Sequence, residues 1–117
     1  MSRRKKEIRE SYRIQTDLDA ILRVNKKRLC IRVVNISTSG LGFESDFVFS
    51  VNDYSTIVLN LHNSSATLHC RIVRADMGVS GKNNYGCKYE YVKESDLKKI
   101  CSYILGIQAL ARWQKSS

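Results

Sequence analysis

Long apolar runs are missing from this chain of 117 residues. A membrane-spanning helix needs about 20 consecutive, predominantly apolar residues, and a secretory signal needs a shorter apolar run behind a basic start. The first thirteen residues carry six basic side chains, and no apolar run follows them. We therefore expect neither membrane insertion nor export, and we expect a cytoplasmic protein.

The sequence also lacks the cysteine and histidine spacings of metal sites. No C-x-x-C pair is present, and the spacing of His62 and His69 to each other and to the cysteines matches no zinc signature. Without an export signal, the cysteines are expected to be reduced thiols packed in the interior. They are Cys30, Cys70, Cys87 and Cys101. No metal site is predicted.

Arrangements that support catalysis are absent as well. The sequence contains no H-E-x-x-H motif and no carboxylate pair, and Ser37 has no histidine at a motif-like distance to activate it. Nucleophilic and metal-assisted catalysis therefore have no support in the sequence. We expect a binding protein rather than an enzyme.

Positive charge, by contrast, is abundant. Lys and Arg number 20 against 11 Asp and Glu, so the formal net charge is +9 and an anionic partner is favoured. Net charge does not choose between nucleic acid, a membrane surface and a phosphorylated small molecule. A general nucleic-acid-binding barrel is one alternative, but such surfaces interleave aromatic with basic residues. The basic N-terminal segment has only Tyr12, so nucleic acid is the less favoured partner.

Alternation of apolar and polar residues predicts a series of short β-strands. It occurs over residues 18–24, 29–33, 41–43, 56–61, 66–75 and 85–91. From about Ser95 the apolar spacing becomes three and four residues, which predicts an amphipathic helix with Ser95 as its N-cap. Six strands and one terminal helix are typical of a small antiparallel β-barrel that the helix caps. One domain is expected, with a basic arm over residues 1–13 and the barrel and helix over residues 14–117.

Two predicted faces leave alternatives open. Tyr85, Tyr89 and Tyr91 alternate with Cys87 along the last strand, so their side chains should point the same way, and positions in the core and on the barrel face are favoured over a base-stacking platform. On the helix, an apolar stripe from residue 97 to 104 should pack on the barrel. Three apolar residues extend beyond this stripe: Leu105, Leu110 and Trp113. They form either a wide capping face or an interface for a homodimer or another partner.

Two clusters suit a guanine nucleotide. One is Arg9-Glu10-Ser11-Tyr12-Arg13 in the arm, and the other is the turn Asn35-Ile36-Ser37-Thr38-Ser39-Gly40. A guanidinium can donate two hydrogen bonds to guanine O6 and N7, or pair with a phosphate. Asn and Ser can meet the polar edge of the base, and small residues let backbone amides approach an anion.

The order and spacing of these clusters resemble the PilZ domain family, bacterial receptors for the second messenger cyclic di-GMP. The resemblance rests on an R-x-x-x-R motif at Arg9 and Arg13, followed after one hairpin by N-x-S-x-x-G at residues 35–40. It extends over the strands at residues 68–74 and 85–89 and the closing helix. It implies a six-stranded barrel whose N-terminal arm folds over ligand held against the barrel surface.

The resemblance also implies roles for individual residues. Arg9 and Arg13 would grip guanine and phosphate, while Asn35, Ser37 and Gly40 would line the other side. Asn35 offers a neutral carbonyl where many members have a carboxylate, which is a weaker acceptor. Ile8 precedes Arg9 where some members place another arginine that helps hold a stacked pair of ligands. We therefore expect one ligand per domain. If the arm reaches the ligand, the missing arginine could be replaced by Arg4, Lys5 or Lys6.

The function implied is that of a non-catalytic cyclic di-GMP effector. The arm would change conformation on binding ligand, and the signal would pass to an unidentified protein partner in motility, pilus or exopolysaccharide control. A PilZ-like scaffold that has lost ligand binding is a further alternative. Such a scaffold is expected to have lost the motif arginines, whereas Arg9 and Arg13 are both present here.

Overall fold

A computed structural model describes residues 13–78 and 81–116, with side chains given as far as residue 111. Six strands and one helix follow one another along the chain. They are β1 (Ile14–Val24), β2 (Lys27–Ile36), β3 (Gly40–Ser45), β4 (Tyr54–Asn60), β5 (Ser65–Asp76), β6 (Asn83–Tyr91) and α1 (Glu94–Ser116). The strands form a closed barrel in the order β1-β2-β3-β6-β5-β4, and every pairing is antiparallel. The predicted antiparallel barrel with a C-terminal helix is confirmed.

The barrel interior follows from the period of two in each strand. Inward positions of β1 and β2 are apolar and buried, as at Leu18, Leu22 and Val33. Phe43 and Tyr85 lie side by side in the core, with ring centroids 5.2 Å apart. The Tyr85 hydroxyl donates a hydrogen bond to the Phe47 carbonyl oxygen at 2.9 Å, so its polar end is satisfied.

Helix α1 packs against the barrel through Ile100 and Ile104, which are buried. The Tyr103 hydroxyl is hydrogen-bonded to the Thr16 hydroxyl of β1, a contact that ties the helix to the strand after the arm. The helix begins at Glu94, so Ser95 lies inside its first turn and the prediction of Ser95 as N-cap is wrong. Within the described residues, no helix has both the length and the apolar character needed to span a bilayer.

Two expectations were wrong, one about the burial of Cys30 and one about the direction of the Tyr91 side chain. Cys30 is exposed, because it pairs with Ile21 in an outward register of β2 rather than packing in the core. Tyr91 is 59% exposed. Cys70 pairs with Tyr89 and His69 pairs with Tyr91, so Glu90 is an extra residue in β6. Such a bulge reverses the alternation, and Tyr91 therefore lies on the outer surface beside His69.

Candidate functional site

Two of the residues predicted for the site meet where β1 begins and β2 ends. Asn35 lies near the end of β2, beside a register irregularity between Val33 and Asn35 that re-aims the side chain. Arg13 lies immediately before β1 and donates a hydrogen bond from Nη1 to the Asn35 Oδ1 at 2.8 Å. The contact is exposed to solvent. The structure therefore brings together one residue from each of the two sequence motifs.

Gly42 of β3 determines how Asn35 lies on the barrel. Gly42 is the cross-strand partner of Asn35. A Cβ atom added at Gly42 would lie 2.7 Å from Nδ2 of Asn35, so the amide lies directly over the glycine. Sequence reasoning did not identify Gly42 as part of the site. Its position two residues after Gly40, on the same face of a strand, was the available signal.

Ser37 holds the shape of the turn between β2 and β3. Its backbone N–H donates to the Gly40 carbonyl oxygen at 2.9 Å, and its hydroxyl donates to the same oxygen at 3.1 Å. The Ser37 hydroxyl also accepts hydrogen bonds from the backbone N–H groups of Ser39 and Gly40, each at 3.2 Å. The Ser37 side chain is fully buried. Its hydroxyl therefore fixes the direction of the turn's backbone.

Gly40 is required at this turn by the close approach of β6. A Cβ atom at Gly40 would overlap the backbone carbonyl oxygen of Cys87. The adjacent Ser39 carbonyl oxygen accepts a hydrogen bond from the Tyr89 N–H at 3.0 Å. Strand β6 is thus pressed against the turn, and the packing leaves no room for a side chain at Gly40.

Tyr89 of β6 holds the turn in place through a hydrogen bond. The sequence did not predict this role, because its pattern indicates only that Tyr89 is an inward position of a strand. Its hydroxyl donates a hydrogen bond to the Ser37 carbonyl oxygen at 2.9 Å. Burial raises the pKa of the Tyr89 phenol well above its usual range, and the positive charge of Arg13 opposes this shift. The phenol therefore stays protonated at neutral pH and remains a donor to the turn.

The other residues predicted for the site lie outside the part of the chain that the structure describes. They are Arg4, Lys5, Lys6 and Arg9. Of the residues described, no group of His, Cys, Asp and Glu side chains is arranged to hold a metal ion. The described site consists of an arginine–asparagine pair beside a glycine-bearing turn, and its hydrogen-bonding groups suit a nucleobase edge or a phosphate.

Several solved structures have a similar fold. The Bacillus subtilis inhibitor of motility (MotI/DgrA) has a TM-score of 0.73 at 15% identity, covering 86% of this chain and 51% of that one. YcgR from Escherichia coli in complex with c-di-GMP has a TM-score of 0.77 at 12% identity, covering 90% and 48%. The PilZ domain of YcgR from the same organism, with c-di-GMP, has a TM-score of 0.70 at 11% identity, covering 91% and 95%.

The chain thus spans about half the length of the first two of these proteins. No curated protein matched the sequence significantly. The family model described as PilZ domain matches residues 7–106, which include both sequence motifs and all six strands. This chain belongs to the PilZ domain family.

Proposed function

We propose that this chain is a non-catalytic receptor for cyclic di-GMP. The observation that carries the proposal is the hydrogen bond between Arg13 and Asn35, which joins the two motifs on the barrel surface. Support comes from the family match and from the solved structures of YcgR and of its PilZ domain with c-di-GMP. Ligand recognition would take place on the outer surface, between the arm and the turn at residues 37–40.

The chemistry of the pair fits a guanine and its phosphate. Arg13 has several N–H donors, and only one of them is used by Asn35 in this structure. The others can pair with guanine O6 and N7 or with phosphate oxygens. The Asn35 amide keeps one acceptor lone pair and two N–H donors for the polar edge of the base. Arg9 would provide the second guanidinium, and Arg4, Lys5 or Lys6 would add charge from the arm.

Selectivity for guanine tests this function directly. Equilibrium dialysis should show that the chain binds cyclic di-GMP more tightly than cyclic di-AMP, because adenine lacks the O6 acceptor. A lost bidentate contact costs about 1–3 kcal/mol of discrimination, which is roughly five- to 150-fold in affinity. Equal affinities would contradict base recognition by the arginines. Binding of neither dinucleotide would favour a ligand-independent scaffold and overturn the proposal.

Ordering of the arm is the proposed signal. Six cations in the first thirteen residues repel one another, and the arm has little apolar surface to bury. The ligand's phosphates would supply the missing negative charge, so the arm should order when ligand binds and present a new surface to a protein partner. Amide hydrogen exchange over residues 3–13 should slow at saturating cyclic di-GMP. Unchanged exchange there, with slower exchange at the turn, would contradict the arm mechanism.

Helix α1 is the proposed surface for self-association. Leu105 and Leu110 are 63% and 53% exposed, so they do not serve in capping the barrel. If the helix forms a homodimer, the double substitution Leu110→Ala with Trp113→Ala should halve the mass measured by light scattering without unfolding the protein. Lys98→Ala, on the same helix, is the control. A wild-type monomer at all concentrations would contradict the dimer.

A further inference from the structure

We propose that Arg74 of β5 is an additional ligand-binding residue of the cyclic di-GMP site. This inference rests on the function proposed above. Neither sequence motif contains Arg74. Its strand, β5, is separated from β2, the strand of Asn35, by β3 and β6. Its assignment comes from strand pairing and from two glycines.

Four residues form one row across the outer surface of the barrel. Asn35 of β2 pairs with Gly42 of β3, Gly42 pairs with Gly86 of β6, and Gly86 pairs with Arg74 of β5. Paired residues in a sheet point to the same face. The row therefore has a polar side chain at each end and two glycines between them.

The side chains at both ends of this row lie over the glycines. A Cβ atom at Gly86 would be 3.2 Å from the Arg74 guanidinium carbon, just as one at Gly42 would be 2.7 Å from the Asn35 amide nitrogen. Both glycines are buried although they face outward, because these two side chains cover them. Partner Cα atoms across an antiparallel pair are about 5 Å apart. The Arg74 guanidinium and the Asn35 amide are thus near neighbours.

Arg13 and Arg74 consequently flank Asn35 from opposite sides. Arg13 reaches Asn35 from the start of β1, and Arg74 approaches it from β5 over the glycine strip, meaning Gly42 and Gly86. The Asn35 and Arg74 side chains lean inward along the row, so their polar ends lie over two neighbouring glycines and are closer together than the strands that carry them. A guanine base or a phosphate placed over the glycine strip can therefore contact both arginines at once.

Arg74 is available for this contact. Its side chain is 57% exposed, and its Nε pairs with the Asp76 Oδ2 at 3.3 Å, while Asp76 is itself 67% exposed. Exposed ion pairs of this kind contribute little stability. The Arg74 guanidinium lies flat over Gly86, so its outer face can stack on a base and its two Nη groups can donate to a ligand. Phosphate or guanine can therefore replace water at Arg74 without breaking a strong interaction.

The test compares Arg74→Ala with a closely matched control. Arg23 is also exposed, but it lies at the far end of β1, where it pairs with Arg28 of β2, so Arg23→Ala removes the same charge away from the site. Isothermal titration should show at least a tenfold loss of cyclic di-GMP affinity for Arg74→Ala. Arg23→Ala should change it by less than about twofold, because charges farther apart than a Debye length are largely screened.

A second variant completes the test. Arg74→Lys keeps the charge and loses the planar fork, so it should still bind cyclic di-GMP several-fold more weakly than wild type. If the wild type binds cyclic di-GMP and Arg74→Ala binds it equally well, the inference is overturned and the proposed function stands. If the wild type does not bind cyclic di-GMP, the proposed function itself fails.

Discussion

Replacing Arg13 with alanine should weaken cyclic di-GMP binding by about thirtyfold or more. The substitution removes a charge-assisted, bidentate contact to the ligand, whose loss costs about 2 kcal/mol. It also removes the donor that holds the Asn35 side chain at 2.8 Å. Arg9→Ala should have an effect of similar size. Isothermal titration measures both, and circular dichroism checks that the barrel remains folded.

Arg23→Ala is the control for Arg13→Ala. Arg23 is an exposed arginine of β1, close to the opposite end of the same strand. Its removal lowers the net charge equally and should leave cyclic di-GMP affinity within about twofold, because charges separated by more than a Debye length are largely screened. A folded Arg13→Ala variant that binds like the wild type would show that the site is assigned wrongly.

Replacing Gly40 with alanine should destabilise the whole domain. The added Cβ would overlap the Cys87 carbonyl oxygen, and both groups belong to the backbone of paired strands. Neither can move without disturbing the barrel, so we expect a loss of about 2–3 kcal/mol in the free energy of unfolding. Urea denaturation measures it. Ligand affinity should also fall, because the turn and Tyr89 would be displaced together.

Gly106→Ala tests whether the effect at Gly40 comes from packing. Gly106 lies within α1, and a Cβ there would meet no atom within 4 Å. Alanine favours the helix over glycine, so Gly106→Ala should stabilise the protein by about 0.5–1 kcal/mol. Equal stability of the Gly40→Ala and Gly106→Ala variants would contradict the close approach of β6 to the turn.

Periodicity was sufficient to predict the barrel, because inward positions on each strand are apolar and each period of two is visible locally. Leu18, Leu22 and Val33 are buried as that pattern predicts. The exposure of Tyr91 could not be predicted, because it depends on the bulge at Glu90, which exists only in the pairing of β6 with β5. Local sequence records alternation but not the register between strands that are distant in the chain.

The same limit applies to the site. The resemblance to the PilZ family predicted that Arg13 and Asn35 belong to one site, and the structure places them in contact. It did not predict that Gly42 lies beneath Asn35, or that the Tyr89 hydroxyl holds the Ser37 carbonyl oxygen. These contacts join β2 to β3 and the turn to β6. Each depends on which strands become neighbours when the barrel closes.

Titration calorimetry of the unmodified chain with cyclic di-GMP shows whether the chain is a receptor for this ligand. We expect saturable binding with one ligand per chain, since Ile8 stands where a further arginine would help hold a second. The affinity should fall as salt increases, because Arg13 and its basic neighbours pair with the ligand's phosphates. The absence of any saturable heat at ligand concentrations up to the millimolar range would show that the chain is not a cyclic di-GMP receptor.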